Sequence, residues 1–162
     1  MSEATKQLVC QFIEQSVPFN KWLGIHITRF EPGVVEASIP FKDELIGNPF
    51  RPALHGGILS AFIDAIGGAA AFSQLSMNDR ISTVDLRVDY LRPGRPLGVR
   101  CRARVVRLGN RVAAVAAEVW QDDAPDHPIA MGMAVYNVRR GREDATDALP
   151  RRADGTSAME ED

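Results

Sequence analysis

The sequence contains few cysteines and little net charge. Its two cysteines, Cys10 and Cys101, lie far apart and lack the CxxC spacing of zinc sites and redox motifs, so two reduced thiols are expected. The net charge of -2 at pH 7 leaves no global basic excess that would attract nucleic acid or an anionic membrane. An anionic ligand must therefore be held by a local patch.

Targeting and membrane signals are absent as well. No basic start runs into an apolar core, so no secretory signal is expected and a cytoplasmic location is the default. The most apolar stretch, Ala53 to Phe72, contains His55, Asp64 and four glycines, which favours a buried helix over a membrane span. The sequence shows no metal-ligand cluster and no nucleotide-binding loop, so neither a metal nor a cofactor is expected.

With 45% hydrophobic and 25% charged residues, the chain fits one compact domain, which we place at residues 1–140. Residues 141–162 are polar and aperiodic and are predicted to be a disordered tail. Apolar residues at helical spacing predict an amphipathic helix over about residues 3–15. From Trp22 to Pro40 we expect two extended runs around the turn at Glu31 to Gly33, followed by a loop from Phe41 to Leu54.

The segment after the long helix alternates as strands do. The sequence predicts about four antiparallel strands between Ile81 and Val138, with a tight turn at Gly109-Asn110. In the first strand, strict alternation assigns Thr83 to the polar face. It assigns to the buried face Val84, Leu86, Val88 and Tyr90. The whole is an α+β arrangement.

The long helix, predicted from Gly56 to Leu75, is apolar on nearly all sides and contains one carboxylate, Asp64. No Lys or Arg occurs between Pro52 and Asn78 to neutralise that carboxylate. Burying an unpaired charge is costly, so Asp64 is expected to have a tertiary partner or a raised pKa. Both a catalytic and a structural role are consistent with this placement.

The helix begins at His55-Gly56-Gly57, where the first backbone N–H groups lack intrahelical acceptors and face the positive end of the dipole. Such amides form an oxyanion site, although glycines here also fit a simple turn. Gly56 and Asp64 are eight residues apart, about 12 Å along one helix. If both act on one carbonyl, two antiparallel copies of the helix must share each site, which predicts a two-fold dimer.

The segments LHGGILSAFID and STVDLRVDYLRP, within Asn48 to Pro93, resemble hotdog-fold thioesterases of the PaaI-like, phenylacetate-pathway branch. The resemblance implies a long central helix wrapped by a curved antiparallel sheet of about five to six strands. It also implies a homodimer that often pairs into a tetramer, and an acyl-CoA substrate without a cofactor.

The resemblance also assigns roles. Gly56 matches the glycine whose amide polarises the thioester carbonyl, and Asp64 matches the nucleophile or general base. Asn48 and Thr83 match residues that hold the attacking water or the leaving sulfur, and His55 matches a positioning histidine. Asn48 lies one residue further from His55 than the resemblance implies, and the polar face of Thr83 fits either the site or solvent.

Two further residues are candidates for substrate binding. Gly57 completes the HGG motif, and Arg92 stands near the strand end that approaches the site. Arginines further along, at positions 100, 102 and 104, fit either coenzyme A phosphates or a solvated strand face.

The sequence thus predicts hydrolysis of an aromatic or medium-chain acyl-CoA by a dimer. The alternatives are a non-catalytic acyl-CoA-binding module, and an acyl-thioester hydratase or dehydratase, which needs a His paired with an acid. Neither His26 nor His127 has an acid at the expected sequence spacing.

Overall fold

The computed structural model describes residues 1–141, so the predicted tail lies, apart from Gly141, outside the described residues. The elements in chain order are helix α1 (Glu3–Gln11), a π-helical turn (Phe12–Ser16), helix α2 (Pro18–Leu23), strands β1 (His26–Glu31) and β2 (Val34–Ile39), a 3-10 turn (Asp43–Leu45), strands β3 (Ile46–Asn48) and β4 (Ala53–Leu54), helix α3 (Gly56–Phe72), and strands β5 (Arg80–Tyr90), β6 (Val99–Leu108), β7 (Val112–Trp120) and β8 (Ala130–Arg139).

Within residues 1–141, six strands form one antiparallel sheet in the order β1-β2-β6-β7-β8-β5, and β3 pairs with β4 in a separate two-stranded sheet. Helix α3 packs against five strands of this sheet, namely β2, β6, β7, β8 and β5. The predicted α+β arrangement, with a central helix and five to six antiparallel strands, is confirmed. Within residues 1–141, no helix is long and apolar enough to cross a membrane.

The core lies between α3 and the inner face of the sheet. Phe62, Ile63 and Ile66 of α3 are fully buried, and each contributes about 1.5–3 kcal/mol relative to an exposed side chain. Gly132 of β8 lets the helix approach closely, because a Cβ there would lie 2.8 Å from Cγ2 of Ile63. This contact holds α3 at the residue that precedes Asp64.

The N-terminal segment differs from the prediction. The first helix is α-helical only to Gln11 and continues as a π turn to Ser16. The extended run expected from Trp22 is wrong at its start, because that residue belongs to α2. Pro18 is preorganised for the first helical turn, and Gly24, with φ of 77°, ends α2 in the left-handed region.

The segment from Phe41 to Leu54 is also more regular than the predicted loop. Strands β3 and β4 form a small hairpin that leads directly into α3. Gly47 is essential to this arrangement, because a Cβ at that position would lie 2.7 Å from Cα of His55. The hairpin therefore packs closely against the residue that starts the long helix.

Strand β5 contains an irregularity that strict alternation misses. Its register against β8 shifts between Thr83 and Asp85, so Val84 is an extra residue in a β-bulge. The side chain of Val84 is 66% exposed, and its assignment to the buried face is wrong. The bulge turns Thr83 to the same face as Leu86 and Val88, which pack on the core.

Candidate active site

The acidic part of the site is built from α3 and β5. Asp64 lies half-buried on α3, and its Oδ1 accepts a hydrogen bond of 2.8 Å from the hydroxyl of Thr83. Thr83 therefore contacts the Asp64 carboxylate, although its side chain remains exposed. The tertiary partner expected for the Asp64 carboxylate is present.

A second contact from β8 fixes the helix at this position. The Tyr136 hydroxyl donates a 2.8 Å hydrogen bond to the carbonyl oxygen of Asp64 and lies 3.5 Å from its Oδ1. Burial raises the pKa of the Tyr136 phenol well above its usual range, and the nearby Asp64 charge adds to this shift. The phenol therefore stays protonated and acts as a donor. Asp64, Thr83 and Tyr136 are called the acidic half-site below.

Gly67 explains how the phenol reaches the helix. A Cβ at Gly67 would collide with the Tyr136 hydroxyl, so only glycine leaves room for it. Gly68 instead lines a cavity, and a Cβ placed there would make ordinary contacts of 3.5 and 3.6 Å with Ile81 and Tyr136. Of the two adjacent helix glycines, one permits packing and the other opens a cavity.

The amide part of the site lies at the start of α3. His55 is the N-cap, and its Nδ1 accepts from the Gly57 amide at 2.9 Å. Within residues 1–141, the Gly56 amide has no hydrogen-bond acceptor. The structure thus assigns the Gly57 N–H to the histidine and leaves that of Gly56 for a ligand.

Two residues that the sequence did not single out for this position shape the surroundings of Gly56. The ring of Tyr90, at the end of β5, lies against it: a Cβ on Gly56 would be 3.0 Å from Tyr90 Cε1. The Tyr90 hydroxyl is in turn hydrogen-bonded to Ser60 one turn into α3. This contact ties the far end of β5 to the first turns of the helix.

The side chain of Asn48 is hydrogen-bonded within the turn that follows it. Its Oδ1 accepts from the amides of Phe50 and Arg51 at 3.0 and 3.1 Å, which closes the turn between β3 and β4. Because this hairpin leads into His55, Asn48 belongs to the same region as Gly56. Asn48, His55 and Gly56 are called the amide half-site.

The two half-sites are separated along α3. Gly56 and Asp64 are eight residues apart in one continuous helix, which is about 12 Å at 1.5 Å per residue. One carbonyl cannot contact both groups of the same chain. The expectation that each chain holds two incomplete halves is consistent with this geometry.

Arg92, Arg100 and Arg102 are held by other protein groups. Arg92 donates to the carbonyl of Pro128 at 2.8 Å, two residues beyond Tyr90, so it lies nearer the amide half-site. Arg102 bonds Glu36 at 2.8 Å, and Arg100 pairs with Asp122. Arg100 and Arg102 lie on β6, a central strand of the sheet, and form ion pairs on its solvent-exposed face.

A cavity of about 730 Å³ begins at the acidic half-site. One side is formed by α3 and β5 and the other by the N-terminal segment. Its volume falls in the range of about 300–1,000 Å³ that is usual for small-molecule sites. Thr83 and Tyr136, which contact the carboxylate, line this cavity together with Ala65, Gly68 and Ile81.

One histidine does have an acidic neighbour. His26 Nδ1 lies 3.3 Å from Glu14 Oε1, a tertiary contact that sequence spacing could not show. This pair belongs to β1 and the N-terminal segment, at the sheet edge opposite the β5 edge where Thr83 lies. The geometry therefore does not connect it to Asp64.

Comparison with known proteins identifies the class. Residues 52–126 match the model of the Thioesterase superfamily. The chain belongs to this superfamily, has the hotdog fold and is a thioester hydrolase. The match covers Gly56, Asp64 and Thr83, whereas Asn48 and Tyr136 lie outside it.

Individual relatives agree with this class. The medium/long-chain acyl-CoA thioesterase YigI of Salmonella typhimurium is 31% identical over 150 residues, covering 85% of this chain and 96% of that protein. A crystallised Shewanella oneidensis protein related to the thioesterase superfamily is 34% identical, with a TM-score of 0.75 over 83% of this chain and 95% of its own. A thioesterase family protein from Silicibacter pomeroyi is 28% identical, with a TM-score of 0.73 over 82% and 99% of the two chains.

Proposed function

We propose that the protein hydrolyses medium- or long-chain acyl-CoA thioesters at two equivalent sites of a homodimer. The proposal depends on one observation: α3 presents both a Gly56 amide without an acceptor and, about 12 Å along the helix, an Asp64 carboxylate at the mouth of a cavity. The name of the YigI relatives supports the acyl class. The assignment to the PaaI-like branch stays a prediction.

In the proposed reaction, the thioester carbonyl accepts a hydrogen bond from the Gly56 amide of one chain. Asp64 of the other chain takes a proton from a water that attacks the carbonyl carbon, or attacks that carbon itself to form a mixed anhydride that water then hydrolyses to the free acid. The helix dipole and the amide stabilise the oxyanion that develops, and the coenzyme A thiolate leaves. Thr83 orients Asp64 throughout, because its hydroxyl holds one carboxylate oxygen.

The position of β5 supports a shared site. Among residues 1–141, β5 is the last strand of the sheet and pairs with β8, and an edge strand invites another strand. The acidic half-site contacts β5 through Thr83, and Gly56 contacts it through Tyr90. Antiparallel pairing of two β5 edges about Arg87, with Val84 left out as the bulged residue, brings Thr83 of one chain opposite Tyr90 of the other. Each Asp64 then approaches the partner's Gly56.

A tetramer formed from two such dimers is also proposed. The outer face of the sheet exposes apolar side chains that would be covered by a second dimer. They include Val112, Met131 and Met133, each 46–49% exposed.

The proposal is tested by steady-state hydrolysis of a panel of aliphatic, phenylacetyl and hydroxybenzoyl CoA esters. We expect the aliphatic esters of medium and long chain to have the highest kcat/KM, and Asp64→Asn to abolish turnover. Asp43→Asn, the same substitution in an exposed 3-10 turn, is the matched control. Failure of the wild-type protein to hydrolyse any ester, or full activity of Asp64→Asn, would refute the proposal.

A further inference from the structure

The cavity that starts at Asp64 runs between the N-terminal segment and the body formed by α3 and the sheet. Leu8, Val9, Phe12 and Ile13 form one wall of it. We infer that helix α1 and its π turn are the wall of an acyl-chain chamber, and that Leu8 and Phe12 set which chain lengths are accepted. This inference rests on the proposed thioesterase function.

The direction of the chamber follows from the pairing of α3 with β5. At one end Thr83 bonds Asp64, and one turn further along the helix Ile81 faces Gly68. Because β5 runs back along α3, the lining residues Phe72 and Asp79 mark the other end. The chamber therefore extends along α3, away from the carboxylate and in the direction opposite to Gly56.

The wall formed by α3 consists of small residues. Asp64, Ala65, Gly68, Ala69 and Phe72 line the chamber at positions that share one helix face. Three of these residues have one side-chain carbon or none, which leaves width for a flexible chain. The first bulky side chain on this face is that of Phe72.

The length of the wall formed by α3 sets a lower bound on the length of an acyl chain that fills the chamber. Asp64 and Phe72 are eight residues apart, about 12 Å along the helix axis. A carbon–carbon bond spans at most about 1.5 Å, so a chain that reaches Phe72 contains at least about eight carbons. The chamber is therefore suited to a medium or long aliphatic chain, and a single aromatic ring would fill only its first part.

The opposite wall is formed by the N-terminal segment. It lies outside residues 52–126, which match the superfamily model. Leu8 and Phe12 are 62% and 50% exposed although they line the chamber, so part of each side chain faces the cavity and part faces solvent. Two hydrogen bonds hold the end of this segment in place. Asn20 Nδ2 donates to the Ile13 carbonyl at 3.1 Å, and Glu14 accepts from the Ile27 amide of β1 at 2.7 Å.

The test measures kcat/KM for butyryl-, octanoyl-, lauroyl- and palmitoyl-CoA in single variants of the full chain. Phe12→Ala removes apolar contact from the chamber wall, which by this inference a lauroyl chain touches over more of its length than a butyryl chain, so the lauroyl-to-butyryl ratio is expected to fall about tenfold. Phe19→Ala is the matched control, because Phe19 is 53% exposed on α2 and does not line the chamber. Its ratio is expected to equal that of the wild type.

A second variant narrows the chamber from the other wall. Ala69→Phe places a ring between Gly68 and Phe72, and the lauroyl-to-butyryl ratio is expected to fall at least about tenfold. Ala69 is 4% exposed, so thermal unfolding monitored by circular dichroism shows whether this variant folds. If it does not fold, Phe12→Ala alone decides the question.

The outcomes separate the two proposals. A wild-type protein without activity on any acyl-CoA refutes the proposed function and with it the chamber. An active wild type whose chain-length ratios are unchanged in Phe12→Ala, or reduced equally in the Phe19→Ala control, overturns only the chamber. A loss of equal size for every chain length also overturns it, because that pattern indicates a general structural effect.

Discussion

The hydroxyl of Thr83 on β5 donates a 2.8 Å hydrogen bond to Oδ1 of Asp64 on α3. This bond links the edge strand to the central helix at the point where the chamber opens. It exists because the bulge at Val84 turns Thr83 toward the helix. A carboxylate in an otherwise apolar helix is thereby held in one orientation.

Replacing Thr83 by valine removes the hydroxyl and keeps the shape of the side chain. A hydrogen bond to a charged group contributes about 1.5–3 kcal/mol, so kcat is expected to fall about 10- to 100-fold. Thr83→Ser retains the donor and is the control, with a loss expected to be much smaller. Equal activity of Thr83→Val and the wild type on lauroyl-CoA would show that the hydroxyl does not orient the carboxylate during turnover.

The Gly56 amide is tested by a pair of substitutions that share one steric effect. Gly56→Pro and Gly56→Ala both place a Cβ near Tyr90, but only proline removes the N–H. Proline is tolerated at the first position of a helix, where that N–H has no helical acceptor. We expect about a 100- to 1,000-fold loss of kcat for proline, as for removal of an oxyanion donor, and a much smaller loss for alanine. Similar losses in the two variants would assign the effect to the contact with Tyr90.

The close approach of Tyr136 to Gly67 predicts a coupled pair. Gly67→Ala alone is expected to destabilise the protein, since its methyl group meets the Tyr136 hydroxyl. In a Tyr136→Phe background the hydroxyl is gone, so the same change should cost far less, and helix propensity favours alanine by about 1 kcal/mol. Urea unfolding of the four proteins of this cycle measures the coupling. Additive effects would mean that the two positions do not interact.

Asp79 predicts how stability depends on pH. Burial alone would raise the pKa of this carboxyl group, but the amides of Ser76 and Gly141 and the Arg140 guanidinium hold it below its ordinary value of 3.8. A lowered folded-state pKa adds stability above the unfolded value, and this stability is lost as the pH falls through the folded-state value.

Asp79→Asn is therefore expected to cost about 1–3 kcal/mol near pH 7, because the buried side chain loses its charge-assisted hydrogen bonds to Ser76, Gly141 and Arg140. The difference from the wild type should shrink below about pH 4, where the wild-type carboxyl group also becomes protonated. Urea unfolding at several pH values from 3 to 7 checks this. A difference that stays constant over this range would contradict the assigned ionisation.

Much of the architecture follows from local patterns. The start of α3 at His55-Gly56-Gly57 and the bounds of β7 are as predicted from the sequence, because capping residues and apolar periodicity are local signals. The face of Thr83 could not be predicted in the same way. A bulge depends on how β5 and β8 pair across the sheet, and one extra residue reverses every face that follows it.

The partners of Asp64 show the same limit. A buried tyrosine needs a hydrogen-bond acceptor, so Tyr136 in the apolar run of β8 was a signal that could have been used. Only the fold shows that the acceptor is the Asp64 carbonyl and that Gly67 provides the space. Asn48 shows the opposite case. The family resemblance implies a site role for this residue, but its side-chain oxygen accepts a hydrogen bond within its own turn.

The central claim, that each active site combines Asp64 of one chain with Gly56 of the other, is tested most directly by mixing two inactive variants. Asp64→Asn and Gly56→Pro chains are co-expressed, or unfolded and refolded together, and acyl-CoA hydrolysis is measured against each variant alone. Random pairing makes half of the dimers mixed, each with one intact site, so about a quarter of the wild-type activity should return. Activity that stays at the level of the separate variants would contradict a site shared between chains.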